Sequence, residues 1–330
     1  MMPDLGVAGT FNAFILGDMQ GYHSDVEGRL AVGGNLTLEH YAVGMQLSNS
    51  RGARDDLVVG GSADFQHGRM YSGNAVIGGT NAIHPENVGF YNGDNPDDAS
   101  GNARVGALPL NFSAIGDELK AKSSDWGTWQ SSGEVSRDDY GNVQFTGAGK
   151  KAVFNLELGR LANVSSFLFD MPRYTTAVIN VFDQEVNLSN LGFHHMAIAG
   201  VDADGKLRSG DNKMPDNDPD VFRHDGSLTN RILFNFVNAT KITMSGIGFK
   251  GSILAPRADV TAFNGHIDGN FISNSLLRPV NENGALTGDY TLQFNNYRFM
   301  DVPAPSTLSA FALGLLLLGF RTRRRCALPA

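Results

Sequence analysis

The sequence predicts an all-β fold, a parallel β-solenoid or β-helix-like domain with one inserted amphipathic α-helix, followed by a short C-terminal transmembrane helix. Three observations carry this. First, Leu30-Ala31-Val32-Gly33-Gly34-Asn35, Leu57-Val58-Val59-Gly60-Gly61-Ser62 and Ala75-Val76-Ile77-Gly78-Gly79-Thr80 read alike, each a short apolar run closed by Gly-Gly and a small polar residue. Second, the last two of these lie eighteen residues apart, as do Gly251-Ser252-Ile253-Leu254 and Gly269-Asn270-Phe271-Ile272, a spacing that suits one coil of a solenoid. Third, 40 glycines with many Asn, Ser and Thr suit short strands joined by tight turns. A set of ordinary hairpins with Gly-Gly turns is the alternative. The 27-residue gap between the first two motifs is its main support.

Within this pattern the elements follow in order. Between Leu110 and Lys122, Phe112, Ile115 and Leu119 fall at i, i+3 and i+7, with Asn111 or Ser113 as N-cap, which predicts one amphipathic helix. Strand patterns return at Val153-Phe154-Asn155-Leu156, Ser166-Phe167-Leu168-Phe169 and Ala177-Val178-Ile179-Asn180-Val181-Phe182. Residues 202–220 form a polar, aspartate-rich loop, after which Ile232-Leu233-Phe234-Asn235-Phe236 and Ile242-Thr243-Met244 resume the strands. No Pro-rich or Ser-rich linker precedes residue 301, so 11–300 reads as one domain behind an N-terminal lead at 1–10, with a tail at 301–330.

The net charge of -8 provides no sequence-wide basic footprint for nucleic acid. The single cysteine, Cys326, rules out an intrachain disulfide and a cysteine-rich zinc site. In the tail, Ser306 to Phe320 carries no charge and is followed by Arg321, Arg323, Arg324 and Arg325, a membrane segment with a positive-inside stop. At fifteen residues it is shorter than the ~20 of an ordinary span, which suits a transient anchor in the inner membrane.

The order Val302, Pro303, Ala304, Pro305, Ser306, Thr307, Leu308, then the apolar run, then arginines, resembles the PEP-CTERM tail recognised by exosortases in Gram-negative bacteria. Ala304 stands where that motif has glutamate. The resemblance implies export to the cell surface or matrix and a sorting-enzyme partner. Because Met1 to Thr10 has neither a basic n-region nor an apolar h-region, it also implies a start upstream of Met1.

The body of the chain resembles the choice-of-anchor A family of bacterial adhesive domains over roughly residues 5 to 300. The carrying residues are Phe11-Asn12-Ala13-Phe14 with Gly17-Asp18, Ser24 through Asn35, Gly251 through Val260, Asn264 through Asn270, and Asn296-Tyr297-Arg298-Phe299. The resemblance implies a non-catalytic surface or biofilm-matrix adhesive role, with an extracellular polysaccharide or surface ligand as partner, and names no catalytic residue. The loop at 202–220 is longer than the family's usual connection there.

Other motifs are weaker. Gly246-Ile247-Gly248-Phe249-Lys250-Gly251 matches G-x-G-x-x-G, but a strand stopped by Pro256 follows where a dinucleotide site needs a helix. Gly147-Ala148-Gly149-Lys150-Lys151 lacks the first glycine and the Ser/Thr of a P-loop. Asp202, Asp204, Asp211, Asp216, Asp218 and Asp220 offer hard oxygens for a structural Ca²⁺, although an EF-hand's third ligand and closing glutamate are missing. A polysaccharide lyase or hydrolase using that loop with Arg208 or Arg223 is the enzymatic alternative. Chelator-sensitive glycan cleavage lost in Asp204→Ala would mark it. Adjacent His194 and His195 point to opposite faces of a strand and read as structural. Trp126 and Trp129 read as packing residues rather than sugar-stacking ones. Ice binding expects a regular threonine array, and the rungs legible in the sequence carry Ala, Val, Gly and Asn instead.

Overall fold

The computed structural model describes residues 1–196, 200–201, 207–208, 214, 228–288 and 290–300. About 48% of the chain is strand, with one α-helix among the described residues. Within the unit Met1–Phe299, short strands follow one another around three faces, and each face is a parallel ladder.

The first face stacks Lys151–Leu156, Thr176–Val181, Ile232–Phe236, 252–255, 271–273, Ala13–Ile15, Leu30–Val32, Asp55–Val59, Asn74–Ile77 and Ala103–Val105 in that spatial order. The second stacks Glu185–Ser189, 241–245, 259–263, 275–277, 19–22, 36–39, Ala63–Gln66 and Asn81–Ile83. The third carries 247–250, 265–268, Leu292–Asn295, the ends of Met19–Val26 and Leu36–Val43, Gly68–Met70 and Val88–Phe90. The parallel strands Asn142–Thr146, Ser166–Asp170 and Gly192–His195 form a separate sheet. Its edge is capped by the antiparallel strand Glu134–Arg137.

The Gly-Gly segments are not hairpins. Leu30 pairs with Leu57 and Leu57 with Ala75 in parallel register. The extra residues of the 27-residue interval sit in the turn-rich segment 44–54, which leaves the stack intact. The glycines are required because successive coils touch backbone to backbone there. Gly60 N–H donates to Val32 O at 2.7 Å, and a Cβ on Gly60 would stand 2.2 Å from the Gly33 carbonyl oxygen. The second eighteen-residue pair stacks likewise, Ile253 on Phe271 and Leu254 on Ile272.

The chain enters this stack in the middle. Ala13–Ile15 lies between 271–273 and Leu30–Val32, so the N-terminal coil is gripped by both ends of the domain. Residues carrying the family resemblance form that joint. Asn12 Nδ2 donates to the carbonyls of Gly269 and Asn295, and its Oδ1 accepts from Gly28 N–H. Asn270 accepts from Phe299 N–H, and Glu27 from Asn296 N–H. Gly6–Thr10 forms a 3-10 helix flanked by buried Leu5 and containing buried Ala8.

From Ala103–Val105 the chain returns along the first face as the helix Phe112–Gly127, capped by Asn111, whose side chain accepts from Ala114 N–H. It runs further than the spacing predicts because its buried stripe, Gly116, Leu119, Ser123 and Trp126, continues through a glycine and a serine that an apolar pattern does not register. Phe112 packs on Phe14, ring centroids 5.4 Å apart, and Trp126 O accepts from Asn180 Nδ2. Those two anchors are four strand steps apart, about 19 Å at ~4.8 Å per step. Fourteen helical residues rise about 21 Å, so helix and ladder match in length. Beneath the helix end, Asn155, Asn180 and Asn235 stack in register as a side-chain ladder. Asn235 Nδ2 donates to Asn180 Oδ1 and Asn180 Nδ2 to Asn155 Oδ1, while Ser123 Oγ donates to Asn235 Oδ1 at 2.6 Å. Polar residues are tolerated at this buried interface because the amides satisfy one another and the helix.

Candidate functional site

The helix covers the middle strands of the first face, and the outward residues of the rungs most legible in the sequence, Ala31, Val58 and Val76, are themselves buried, so those rungs are not displayed. The second face is displayed instead. Alternation along each strand sends Val186, Leu188, Ile242, Met244, Val260, Leu36, Leu38 and Phe65 into the core. The intervening residues form outward columns: Asn187, Thr243, Thr261 and Leu277 on adjacent strands, then Gln20, Thr37, Asp64 and Ala82. Hydroxyls, amides and a carboxylate thus recur at about one strand spacing, without a continuous threonine array.

A sharp corner joins the second and third faces. His23, His40 and His67 occupy it with φ of 46°, 50° and 50°, and Asn190, Gly246 and Asn264 take the same left-handed conformation in other coils. This backbone region is uncommon outside Gly and most accessible to Asn, Asp and His. The residue turns the chain and projects its side chain outward. Repetition along the stack places the imidazoles of His23 and His40 4.6 Å apart at 23°, and those of His40 and His67 5.1 Å apart at 17°. Tyr22 meets His23 edge-on at 4.2 Å, and Tyr290, 59% exposed, lies 5.7 Å from His23. The Arg278 guanidinium lies 4.4 Å from the Tyr22 ring centre. The result is an exposed aromatic column beside the polar face.

Stacked imidazoles have nearly parallel planes, so their in-plane lone pairs cannot converge on one ion in this arrangement. Among the described residues no group of three or more His, Cys, Asp or Glu is placed to hold a metal. The aspartates proposed for calcium, Asp202, Asp204, Asp211, Asp216, Asp218 and Asp220, lie outside the described residues, as do Arg223 and the side chain of Arg208. So do the tail residues from Val302 to Arg325, the proposed transmembrane helix among them.

The remaining candidates are structural. The strand Lys241–Lys250 contains Gly246 through Lys250 of the G-x-G-x-x-G match, and Gly251 leads directly into the strand Ser252–Asp268. His195 is buried and His194 is on the other side of the strand, as alternation requires. Burial, helped by the Arg173 charge, pushes the His195 pKa down from 6.5 to about 4, so it remains neutral at ordinary pH. Trp126, in the last turn of the helix, is buried, and the Lys151 ammonium lies over the Trp129 ring at 3.8 Å.

Sequence reasoning missed the histidine column, although a signal exists. His23, His40 and His67 each lie six residues after a corner glycine, Gly17, Gly34 and Gly61 respectively. Those glycines stack, Gly34 N–H donating to Gly17 O and Gly61 N–H to Gly34 O.

Comparison with known families supports the same assignment. Residues 4–285 match a family model described as "Putative Ice-binding-like adhesive domain", and residues 301–325 match the PEP-CTERM protein-sorting motif across the Ala304 departure. Neither the curated proteins nor the solved structures give a match. The two matches make this an exported, surface-type adhesive protein, and the adhesive assignment favours a non-enzymatic role. With most of its length spanned by the first model, the chain belongs to the family of ice-binding-like adhesive domains.

Proposed function

We propose that this protein is a non-catalytic adhesive or structural component of the cell surface or exopolysaccharide matrix, and that it binds extracellular polysaccharide along the second face and its aromatic corner. The observation carrying this is the column of exposed His23, His40, His67 and Tyr290 with half-buried Tyr22, beside outward Gln20, Thr37 and Asp64. Pyranose rings offer apolar faces that pack on aromatic rings and hydroxyls that bond amides, hydroxyls and carboxylates. A ladder repeating both kinds of group suits a polymer that repeats too, since many weak contacts along one chain add as avidity.

The tail supports delivery by an exosortase-type enzyme. Val302, Pro303, Pro305, Ser306, Thr307 and Leu308 present the sorting motif, 306–320 enters the inner membrane, and Arg321, Arg323, Arg324 and Arg325 hold the cytoplasmic side.

The test is co-sedimentation of the mature protein with exopolysaccharide from its own host. Tyr22→Ala combined with His40→Ala should weaken binding about tenfold or more, from two stacking contacts of about 1 kcal/mol each. Undiminished binding by a folded double variant would dismiss this face as the adhesive one.

A further inference from the structure

At the corner between the third and first faces, a lysine and an aspartate on adjacent strands are buried together. Lys250 and Asp268 are register partners, 1% and 2% exposed, with Nζ 2.8 Å from Asp268 Oδ2. Two groups attend the pair. His266 Nε2 lies 3.0 Å from Nζ, and Asn295 Nδ2 donates to Asp268 Oδ1 from the next strand along. Asn295 is itself 1% exposed, and its Oδ1 finds no hydrogen bond among the described residues.

Burial makes an ion pair expensive relative to its neutral form. Transfer of one proton from ammonium to carboxylate leaves an amine and a carboxylic acid in contact, which are the reactants of an amide condensation. We infer that Lys250 and Asp268 are a site of spontaneous covalent modification, joined by an isopeptide bond between Nζ and Cγ.

The atoms balance without an oxidant or cofactor. The Nζ lone pair attacks Cγ of the protonated carboxyl while the Asn295 amide, bonded to Oδ1, polarises that carbon. His266 Nε2, with its proton on Nδ1, takes the proton released from nitrogen and returns it to the departing hydroxyl. The C–O bond breaks, one water leaves, and an amide remains. The bond would tie coil 247–250 to coil 265–268, next to the Asn12 and Asn270 joint, in a chain whose single cysteine cannot form an intrachain disulfide.

Peptide mapping of the full-length protein after denaturation and trypsin digestion tests this. The expected result is no cleavage after Lys250, and the peptide 242–257 joined to 258–298 with a mass one water below their sum. Lys250→Arg and Asp268→Ala should each abolish the link and restore the full mass. A linear peptide ending at Lys250 in the wild-type protein would overturn the proposal, and it needs no variant to fold. A deficit of one ammonia, with fragments placing the link on Asn295, would overturn Asp268 as the acceptor.

Discussion

Replacing Asn235 with alanine probes whether the buried amide ladder holds the helix on the solenoid. The side chain makes three hydrogen bonds, to Asn180 Oδ1 at 2.8 Å, to Ser123 O at 2.9 Å and from Ser123 Oγ at 2.6 Å. Asn180, Asn235 and Ser123 are each fully buried. Truncation therefore strands the Ser123 hydroxyl and Asn180 Oδ1 away from water, at about 1–3 kcal/mol apiece. The Asn180 amide retains its own bonds to Asn155 and Trp126, which limits the damage. The expected loss is about 4 kcal/mol, against about 0.5 kcal/mol or less for the exposed control Asn187→Ala. Urea unfolding followed by circular dichroism reads this as a lower midpoint at unchanged slope. A loss below about 1 kcal/mol would refute the ladder as a structural element and mean that other contacts, such as Phe112 on Phe14 and Arg257 donating to Lys120 O and Ser124 Oγ, hold the helix.

Two further predictions concern corners and charge. Gly60→Ala should destabilise by roughly 2–4 kcal/mol, because the new Cβ meets the Gly33 carbonyl oxygen at 2.2 Å. Gly106→Ala meets nothing within 4 Å and should leave the thermal midpoint nearly unchanged. Equal effects from the two would count against backbone contact at the Gly-Gly corners. Since His195 has a folded-state pKa of about 4 against 6.5 unfolded, the unfolded chain binds more protons between those values. Stability should therefore fall as pH drops from about 6.5 to about 4, with roughly 3 kcal/mol attributable to this residue. His195→Phe should flatten that part of the profile. An unaltered pH dependence in the variant would place the cause elsewhere.

Much of the architecture was legible in local pattern. The eighteen-residue spacing, the apolar runs and the strands at 153–156, 166–169, 232–236 and 242–244 all reappear as stacked coils. Asn111 caps the helix as its residue type suggests. The 27-residue interval misled because spacing counts residues along the chain, whereas stacking requires only that each coil return to the same corner. An outward turn segment absorbs the surplus without shifting register.

The sequence by itself pointed to a solenoid of short strands with one inserted helix, with hairpins as the alternative that parallel register then excluded, and carried the family resemblance of its body and the sorting motif at its end. Short-range apolar alternation and glycine placement encode those features directly. Only the tertiary structure decided which rungs are displayed. The helix lies on the first face, burying Asn180 and Asn235, and leaves the second face and the His23, His40 and His67 corner exposed. It also decided that Lys250, His266, Asp268 and Asn295 meet. Those groups come from successive coils and become neighbours only through parallel stacking at about 4.8 Å.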